Sequence, residues 1–373
     1  MNEVWIAGFE ILTALGPNIK HTWDNILQKK SAIKSISRFN TTNYISKVGA
    51  YIENLEKTDN DSLLFSLLTR LLSNLPFPLP QESILLTATT KAGIDILSKN
   101  LSLEKVKQSL PFYALSWIGN YLKIKPFLNI NAACASSTIA IAKGASLVSK
   151  GLVDAVIIVC FDLLSEFVHA GFSSLRALSP SACKPFDCKR QGLTLGEGGA
   201  ILLLTNPKTA KKYGLKCLGT VVGWGVSNDA FHLTAPHPKG AGLVLAIKKA
   251  FKIAKINPSD IAMIHAHGTG TVYNDKMELE AFKNFFKNTP IFSLKGAIGH
   301  TLGAAGGIEV ALTLKALASK IIPATIGCKE PEIEQITTEN ITIQNNPKYA
   351  LKTNSGFGGI NAALILKTGV NGN

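Results

Sequence analysis

The feature that most constrains the fold is a run of apolar residues with no helical period. Val153 to Phe161 is apolar except at Asp154, and Ala200 to Leu204 is a second apolar run. Runs of this kind are typical of strands buried on both faces of a sheet. Before the first run, the Ala-rich segment Thr138 to Lys150 ends at Gly151 and predicts a helix. The alternation predicts an α/β fold whose sheets are covered by helices.

A weak internal repeat divides the chain. Val4 to Gly8 resembles Thr220 to Gly225, and the segment around Cys134 resembles Ala297 to Leu317, where a small-residue helix again follows a turn. Each similar stretch is short, so the repeat supports a duplication without establishing it. The predicted halves are residues 1–205 and 206–373.

The charge of the chain bears on its partners. The formal net charge is +14, and only four of the 39 basic residues are arginine. Proteins that read nucleic-acid bases favour arginine for its forked guanidinium, and no run of five basic residues occurs, so we expect no nucleic-acid partner. Two interpretations stay open: a lysine-coated surface, or a positive face that attracts an acidic protein.

The chain shows no sign of a membrane span or an export signal. No apolar run reaches the roughly 20 residues that a bilayer requires. The segment Met1 to Trp5 lacks the basic region and cleavage site of a signal peptide. The sequence therefore predicts a cytoplasmic protein.

Six scattered cysteines suggest no disulfide framework, and Cys183 and Cys188 have no second pair that would complete a zinc site.

Cys134 follows a predicted short strand, Phe127 to Asn131, and precedes the predicted helix. A thiol at a helix start faces free N–H groups and the positive end of the helix dipole, which favours a nucleophilic thiolate. The alternative is a buried cysteine that acts only as a small apolar residue.

Two histidine motifs lie in the second half. His265-Ala266-His267 follows the apolar run Ile261 to Ile264 and enters a Gly/Thr turn, which favours a site in a cleft. A capping histidine is the plainer interpretation, and a metal bound by His265 and His267 is a third. His300 precedes a small-residue helix, where the dipole favours the neutral imidazole. The alternative is a histidine that only caps the helix start or packs against it.

The segment Asn354 to Asn361 is dense in glycine and precedes a strand. Backbone N–H groups of such a loop can converge on an anion, although a plain tight turn fits as well. It lacks the strand-then-helix setting of a dinucleotide site.

Taken together, these motifs resemble the β-ketoacyl-(acyl carrier protein) synthases of the thiolase superfamily, and among them the elongating type with a Cys-His-His set. The resemblance extends over most of the chain. It is strongest in seven segments: Asn131–Ser137, Gly171–Ser179, Lys184–Gly199, Asp229–Gly242, His265–Thr271, Lys295–Gly307 and Asn354–Asn361.

The resemblance implies a thiolase-like five-layered αβαβα sandwich of two duplicated halves. It also implies a dimer, either a homodimer or a heterodimer with a second ketosynthase-like subunit, formed through a strand near Val153 to Cys160. The implied reaction is a decarboxylative Claisen condensation of an acyl thioester with malonyl-acyl carrier protein in fatty acid, polyene or polyketide biosynthesis. No cofactor or metal is implied, because phosphopantetheine of the carrier protein holds the substrates.

The resemblance also assigns the reacting groups. Cys134 would carry the acyl chain, while His267 and His300 would assist decarboxylation and stabilise the enolate. Lys295 would support the histidines as the partner of Glu309.

Further residues would bind or position the substrate. The N–H groups of Cys134 and Phe357 would form the oxyanion hole, with Phe357 as a gate to the acyl pocket. Thr269 and Thr271 would bind the pantetheine arm, and Asp275 would stabilise the loop that follows His267 by an ion pair.

Acidic carrier proteins would meet a positive docking surface. Arg176 is the first candidate for that surface, with Lys184 and Arg190 behind it. The alternative for each of these residues is a structural ion pair.

The chain departs from the family pattern in two places. It is shorter between residues 55 and 125, and one residue is missing after Ser355, with Ile360 where Thr or Val is usual. Both departures favour a specialised polyene or polyketide synthase. The competing functions are a chain-length-factor-type subunit, which would lack the nucleophile, and a thiolase-like acyltransferase, which would carry a second cysteine in the Gly-rich loop.

Overall fold

The computed structural model describes residues 2–56, 61–73, 75–98, 102–344 and 348–369. Ten of the strands in this part of the chain join in one hydrogen-bonded sheet. They are β1 (Trp5–Thr13), β2 (Ile84–Ala88), β3 (Lys125–Ile130), β4 (Ala155–Asp162), β5 (Gly198–Thr205), β6 (Gly219–Asn228), β7 (Ile261–His265), β8 (Ile291–Phe292), β9 (Tyr349–Gly356) and β10 (Ile360–Thr368).

Helices separate most of these strands. They are α1 (Ile19–Leu27), α2 (Leu63–Leu72), α3 (Leu103–Gln108), α4 (Pro111–Leu122), α5 (Ser136–Ser149), α6 (Glu166–Ser174), α7 (Pro207–Lys212), α8 (Ala241–Ala254), α9 (Val272–Phe282), α10 (Lys295–Ile298) and α11 (Ala305–Ser319). Short 3-10 turns cover Ile94–Ser98, Pro258–Asp260 and Leu302–Ala304, and two small ribbons pair Lys34–Ser35 with Val48–Gly49 and Ile321–Ile322 with Ile341–Thr342.

The sheet repeats one strand order in its two parts. The full order is β8-β7-β9-β10-β6-β1-β5-β4-β2-β3, so each five-stranded part has its third strand at the outer edge and its first strand at the centre. Pairing in each part is antiparallel next to the first strand and parallel at the far side. Two residue pairs between β1 and β6 join the parts. The division at residues 205 and 206 stays a prediction, and it falls between β5 and β6.

The helices form three layers around the two sheet parts. Helices α5 and α11 contact each other and strands of both parts, so they form the central layer. Helices α2 and α4 cover the outer face of the first part, and α8 covers the outer face of the second. Apolar clusters fill each space between the layers. This is the α/β five-layered sandwich that the resemblance implies.

The apolar runs form the strands that the sequence predicts. Every residue of β4 and of β5 is buried, as the lack of a two-residue period indicates. Helix α5 begins two residues before the predicted helix, and its N-cap residue Ala135 provides no side-chain hydrogen bond. Leu302–Ser319 is the one helical stretch, within the described ranges, long and apolar enough to cross a membrane, and 83% of it is buried inside the protein.

The prediction that a dimer forms near Val153 to Cys160 is wrong. Strand β4 lies between β5 and β2, so both of its edges already pair within the chain. The free edge of this part of the sheet is β3, whose residues Phe127 and Leu128 are 53% and 41% exposed. An exposed edge with large apolar side chains is the feature that a partner subunit would cover.

Candidate active site

A cavity of about 280 Å³ opens at the end of the central helix layer. Elements of both halves line it: the start of α5, the loop after β7, the segment before α11 and the hairpin between β9 and β10. Its lining includes Cys134, His267, Thr269, Thr271, His300 and Phe357. The cavity therefore collects residues that lie more than 200 positions apart in the chain.

A tight turn presents Cys134 at the start of α5. Ala133 has a φ of 48°, and the Ser136 hydroxyl accepts from the Ala132 N–H at 2.8 Å and donates to the Ala133 carbonyl at 2.5 Å. The thiol is only 7% exposed, and burial raises its pKa to about 12, although the charge of Lys295 acts in the opposite direction. Helix position alone predicts a thiolate, but burial is the larger effect.

Two buried imidazoles face this thiol. The cysteine sulfur and one ring nitrogen of each of His267 and His300 lie within 4.8 Å of one another. The two rings pack edge to face, with centroids 5.1 Å apart and an interplanar angle of 85°. The three residues that the sequence assigned to the reaction therefore converge on one small volume.

The surroundings hold both imidazoles neutral. Burial, followed by the charge of Lys295, lowers the pKa of His267 well below its usual range and that of His300 to about 3. The Leu302 N–H donates to His300 Nδ1 at 3.0 Å, so the ring proton lies on Nε2. That Nε2 is buried and has no hydrogen-bond partner among the described residues. His300 thus offers an unused donor to the cavity.

An ionic network lies directly beneath the histidines. Lys295 donates to the His267 carbonyl at 2.6 Å and to a carboxylate oxygen of Glu309. The other oxygen of Glu309 lies 2.9 Å from Lys352 Nζ. Although burial acts to raise it, the two lysines hold the pKa of Glu309 well below its usual range.

Two members of this network were missed by the sequence reasoning. Lys352 is the one charged residue of strand β9, and Asn354 lies in the last part of that strand, before the Gly-rich turn. A lysine inside a buried strand was the signal that could have identified the first. For Asn354 the sequence contains no comparable signal, because an asparagine before a Gly-rich turn is ordinary loop composition.

Two carboxylates hold the loop that follows His267. Asp275 accepts from the Thr269 and Gly270 N–H groups at 3.0 and 3.2 Å. Glu278, which the sequence reasoning also missed, accepts from the N–H groups of His267 and Gly268, both at 2.7 Å. Burial raises the pKa of Glu278 to about 7.

The two threonines of the same loop lie at the cavity. Their hydroxyl groups are 2.9 Å apart, and that of Thr271 also accepts from the Asn274 N–H at the start of α9. Thr269 is buried, whereas Thr271 lies nearer the cavity mouth. The pair can offer hydroxyl groups to a polar ligand that enters from that side.

The Gly-rich loop closes the cavity beside the nucleophile. A Cβ added to Gly356 would lie 3.1 Å from the Cys134 nitrogen, so only a very small residue fits well there. Phe357 stacks on Phe172 with centroids 5.7 Å apart. Within the described ranges, neither the Cys134 N–H nor the Phe357 N–H donates a hydrogen bond to another residue. Both remain available to a substrate oxygen.

The three residues predicted to dock the carrier protein differ in their exposure to solvent. Arg176 is exposed on the cavity rim and Lys184 is half-buried. Arg190 is buried, lies 2.6 Å from a Glu332 carboxylate oxygen and 3.8 Å from one of Asp275, and donates to the Asp187 carbonyl. Its guanidinium is thus engaged inside the protein, so the docking prediction is wrong for Arg190.

The alternative metal pair does not form. His265 turns away from the cavity, stacks on Phe292 and contacts the Thr313 hydroxyl through Nδ1 at 2.8 Å. In the described part of the chain, the one group of three side chains close enough to hold a metal ion is Cys134, His267 and His300. That no metal or cofactor takes part in the reaction stays a prediction.

A buried thiol opposed by two neutral imidazoles, at the junction of two similar sheet parts, defines a condensing enzyme that transfers acyl groups. The family models agree: the N-terminal domain of beta-ketoacyl synthases matches residues 125–210, and the C-terminal domain matches residues 218–329. The two matches cover more than half of the chain. The chain belongs to the β-ketoacyl synthase family.

Relatives extend over the whole length. The chain is 28% identical over 405 aligned positions to 3-oxoacyl-[acyl-carrier-protein] synthase 2 of Staphylococcus aureus strain COL, with 98% of both chains covered. The fold matches the ketosynthase ApeO in complex with its chain length factor ApeC from Xenorhabdus doucetiae, at a TM-score of 0.83, 28% identity and 98% of both chains covered. A β-ketoacyl synthase from Burkholderia phymatum matches at a TM-score of 0.87 and 24% identity, over 99% of this chain and 100% of that one.

Proposed function

We propose that this protein is an elongating β-ketoacyl synthase in which Cys134 carries the acyl chain. The observation that carries the proposal is the convergence of the Cys134 sulfur with nitrogens of His267 and His300 within 4.8 Å. A chain-length-factor-type subunit has no need of this set, and a thiolase-like acyltransferase would place a second cysteine in the loop that here reads Ser355-Gly356-Phe357.

The first half-reaction loads the enzyme. The Cys134 sulfur attacks the thioester carbonyl of acyl-carrier protein. The carbonyl oxygen accepts hydrogen bonds from the N–H groups of Cys134 and Phe357. The C–S bond to pantetheine breaks, and the proton lost by Cys134 is the one that the departing pantetheine sulfur gains. The raised pKa of Cys134 therefore costs little, provided that deprotonation and departure of the leaving sulfur are coupled.

The second half-reaction forms the carbon–carbon bond. Malonyl-carrier protein loses carbon dioxide, and the electron pair of the broken C–C bond becomes an enolate. Imidazole N–H donors from His267 and His300 stabilise the enolate oxygen. The carbanion then attacks the acyl-Cys134 carbonyl, and the released sulfur takes up one proton. No strong base is required, because decarboxylation generates the carbanion.

The substrates arrive on phosphopantetheine, so we propose that Thr269 and Thr271 bind that arm. Both line the cavity, with Thr271 nearer its mouth, and their hydroxyl groups suit the two amides of pantetheine. We also propose that the enzyme acts in specialised polyene or polyketide synthesis. It rests on the shortened region before β3 and on the likeness to ApeO, which was solved with a chain length factor.

Mass spectrometry tests the nucleophile. The protein is incubated with a panel of acyl-carrier proteins and malonyl-carrier protein, and adducts and products are read as intact masses. We expect an acyl adduct on wild type and on Cys188→Ala, whose cysteine is exposed and distant, but none on Cys134→Ala. No adduct on wild type, or an adduct that persists in Cys134→Ala, excludes the mechanism.

The docking proposal has a separate test. Arg176 lies on the rim of the cavity, where an acidic carrier protein delivering its arm would contact the surface. We expect Arg176→Glu to raise the KM for acyl-carrier protein and to leave the KM for an acyl-pantetheine thioester unchanged. Lys216→Glu, an equal charge change at an exposed site in the connection between β5 and β6, is the control and should alter neither value.

A further inference from the structure

The side-chain amide of Asn354 connects three parts of the active site. It is fully buried, its Oδ1 accepts from the Thr138 hydroxyl at 2.5 Å, and its Nδ2 lies 2.9 Å from Glu309 Oε2 and 2.9 Å from His267 Nδ1. Thr138 belongs to the helix that begins beside Cys134. One amide therefore joins the nucleophile helix, the ionic network and the first imidazole.

The partners of this amide leave it one orientation. An ionised carboxylate only accepts hydrogen bonds, so the group that faces Glu309 is the NH₂. The carbonyl end faces Thr138, whose hydroxyl can donate to it. Because the NH₂ also faces His267, the Nδ1 of that ring must accept, and in a neutral imidazole the proton then lies on Nε2.

Lys352 contributes a second positive charge to the same network. Its ammonium group is fully buried, contacts Glu309 at 2.9 Å and donates to the carbonyls of Thr353 and His265. Together with Lys295 it leaves Glu309 ionised, so the carboxylate stays an acceptor. Its charge also lowers the pKa of His267, after burial, Lys295 and His300.

We propose that Asn354 and Lys352 are positioning residues for His267: Asn354 holds the ring in the tautomer with its proton on Nε2, and Lys352 holds the Glu309 carboxylate that keeps the Asn354 amide in this orientation. This inference rests on the proposed role of His267 as a donor to the enolate oxygen. A ring with the opposite tautomer would present a lone pair to that oxygen and would oppose decarboxylation.

Leucine in place of Asn354 removes the donor at nearly the same size. In Asn354→Leu no N–H holds the lone pair on His267 Nδ1, so the ring proton is free to lie on Nδ1 and leave the Nε2 lone pair facing the cavity. We expect malonyl decarboxylation to fall about 100-fold, the loss typical of removing one oxyanion donor. Acyl transfer to Cys134, which does not use His267, should change little.

Nitrogen NMR of histidine-labelled protein reads the tautomer directly, because a ring nitrogen with a lone pair resonates far from a protonated one. The signals of His267 are assigned by their loss in His267→Gln. We expect an unprotonated Nδ1 in wild type and an Nδ1 that is at least partly protonated in Asn354→Leu. A wild-type Nδ1 that carries the proton overturns the tautomer assignment, and an Nδ1 that is unchanged in the variant overturns the role of Asn354, even if the variant is inactive for other reasons.

Lys352→Met tests the indirect role, because it removes one of the two lysines that hold Glu309. We expect part of the His267 signal to move to a protonated Nδ1 and malonyl decarboxylation to fall, by less than in Asn354→Leu. A His267 signal and a decarboxylation rate identical to those of wild type exclude the role of Lys352. The proposed function is tested on the wild-type protein, which should form the acyl adduct and decarboxylate malonyl thioester. The positioning role is tested on the variants. Failure of the one is therefore distinguishable from failure of the other.

Discussion

Glu309 shows how closely single residues are coupled in this interior. Its two carboxylate oxygens bind two buried lysines, and the oxygen Oε2 also accepts a hydrogen bond from Asn354. A buried ion pair is a modest source of stability in itself, since desolvation offsets most of the attraction. Its removal is costly, because the partner charges stay buried without compensation.

We therefore expect Glu309→Gln to lower the free energy of unfolding by about 3–5 kcal/mol, measured by urea denaturation at neutral pH. Glu330→Gln, which breaks the exposed pair with Lys189, is the control and should cause no measurable change. Equal effects of the two substitutions would mean that the buried lysines find other partners.

The neutral histidines make stability depend on pH. The pKa of His300 is about 3 in the folded protein, below the usual value of 6.5. Between these two values the unfolded state binds a proton that the folded state does not, so acid favours unfolding. The stability due to neutral His300 is complete above pH 6.5 and is lost as the pH falls towards 3.

From pH 6 to pH 4 we expect this residue to contribute a loss of about 1 kcal/mol per pH unit. Urea denaturation over this range gives the free energy of unfolding as a function of pH, and its slope counts the protons taken up on unfolding. In His300→Asn this number should be smaller than in wild type by about one. A wild-type slope in His300→Asn would show that the ring is already charged in the folded state.

At the scale of elements, the close crossing of α5 and α11 holds the two halves of the site together. A Cβ on Gly306 would lie 2.0 Å from the Thr138 hydroxyl and 2.7 Å from the Thr138 nitrogen. The Gly307 N–H also donates to the Ser137 hydroxyl at 2.9 Å. Glycine at this point lets α5, the helix that follows Cys134, approach α11, the helix that follows His300.

We expect Gly306→Ala to separate the two helices, to lower stability by about 1–3 kcal/mol and to reduce condensation activity. Thermal unfolding and product formation measure the two effects. Gly171→Ala in α6 is the matched control, because nothing lies within 4 Å of its added Cβ, and alanine there should raise stability slightly. Destabilisation of both variants to the same extent would contradict the crossing argument.

At the scale of the molecule, the free edge at β3 is the surface that most needs a partner. Phe127 and Leu128 are exposed on it, next to a row of unpaired backbone groups. Strand edges with apolar side chains associate unless they are covered. We propose this edge as the dimer surface, whether the second subunit is a copy of this chain or a related one.

For the protein alone we expect a dimer that Phe127→Glu dissociates, as measured by sedimentation velocity. Leu152→Glu changes an apolar residue outside this edge that is 66% exposed, and it should leave the assembly intact. A wild-type monomer would favour a heterodimer, and co-expression with a second ketosynthase-like subunit would then restore the dimer only if Phe127 is retained. A dimer that survives Phe127→Glu would exclude the β3 edge.

Much of this protein was determined by the sequence alone. Uninterrupted apolar runs specify strands buried on both faces, and the family motifs identify Cys134, His267 and His300, because both signals are local in the chain. Only the tertiary structure decided that β4 is interior and β3 is the edge, that Arg190 is buried, and that Lys352 and Asn354 support His267. Strand order, burial and hydrogen-bond partners depend on segments far apart in the chain, and the pKa of a thiol depends on how much water the surrounding fold leaves it.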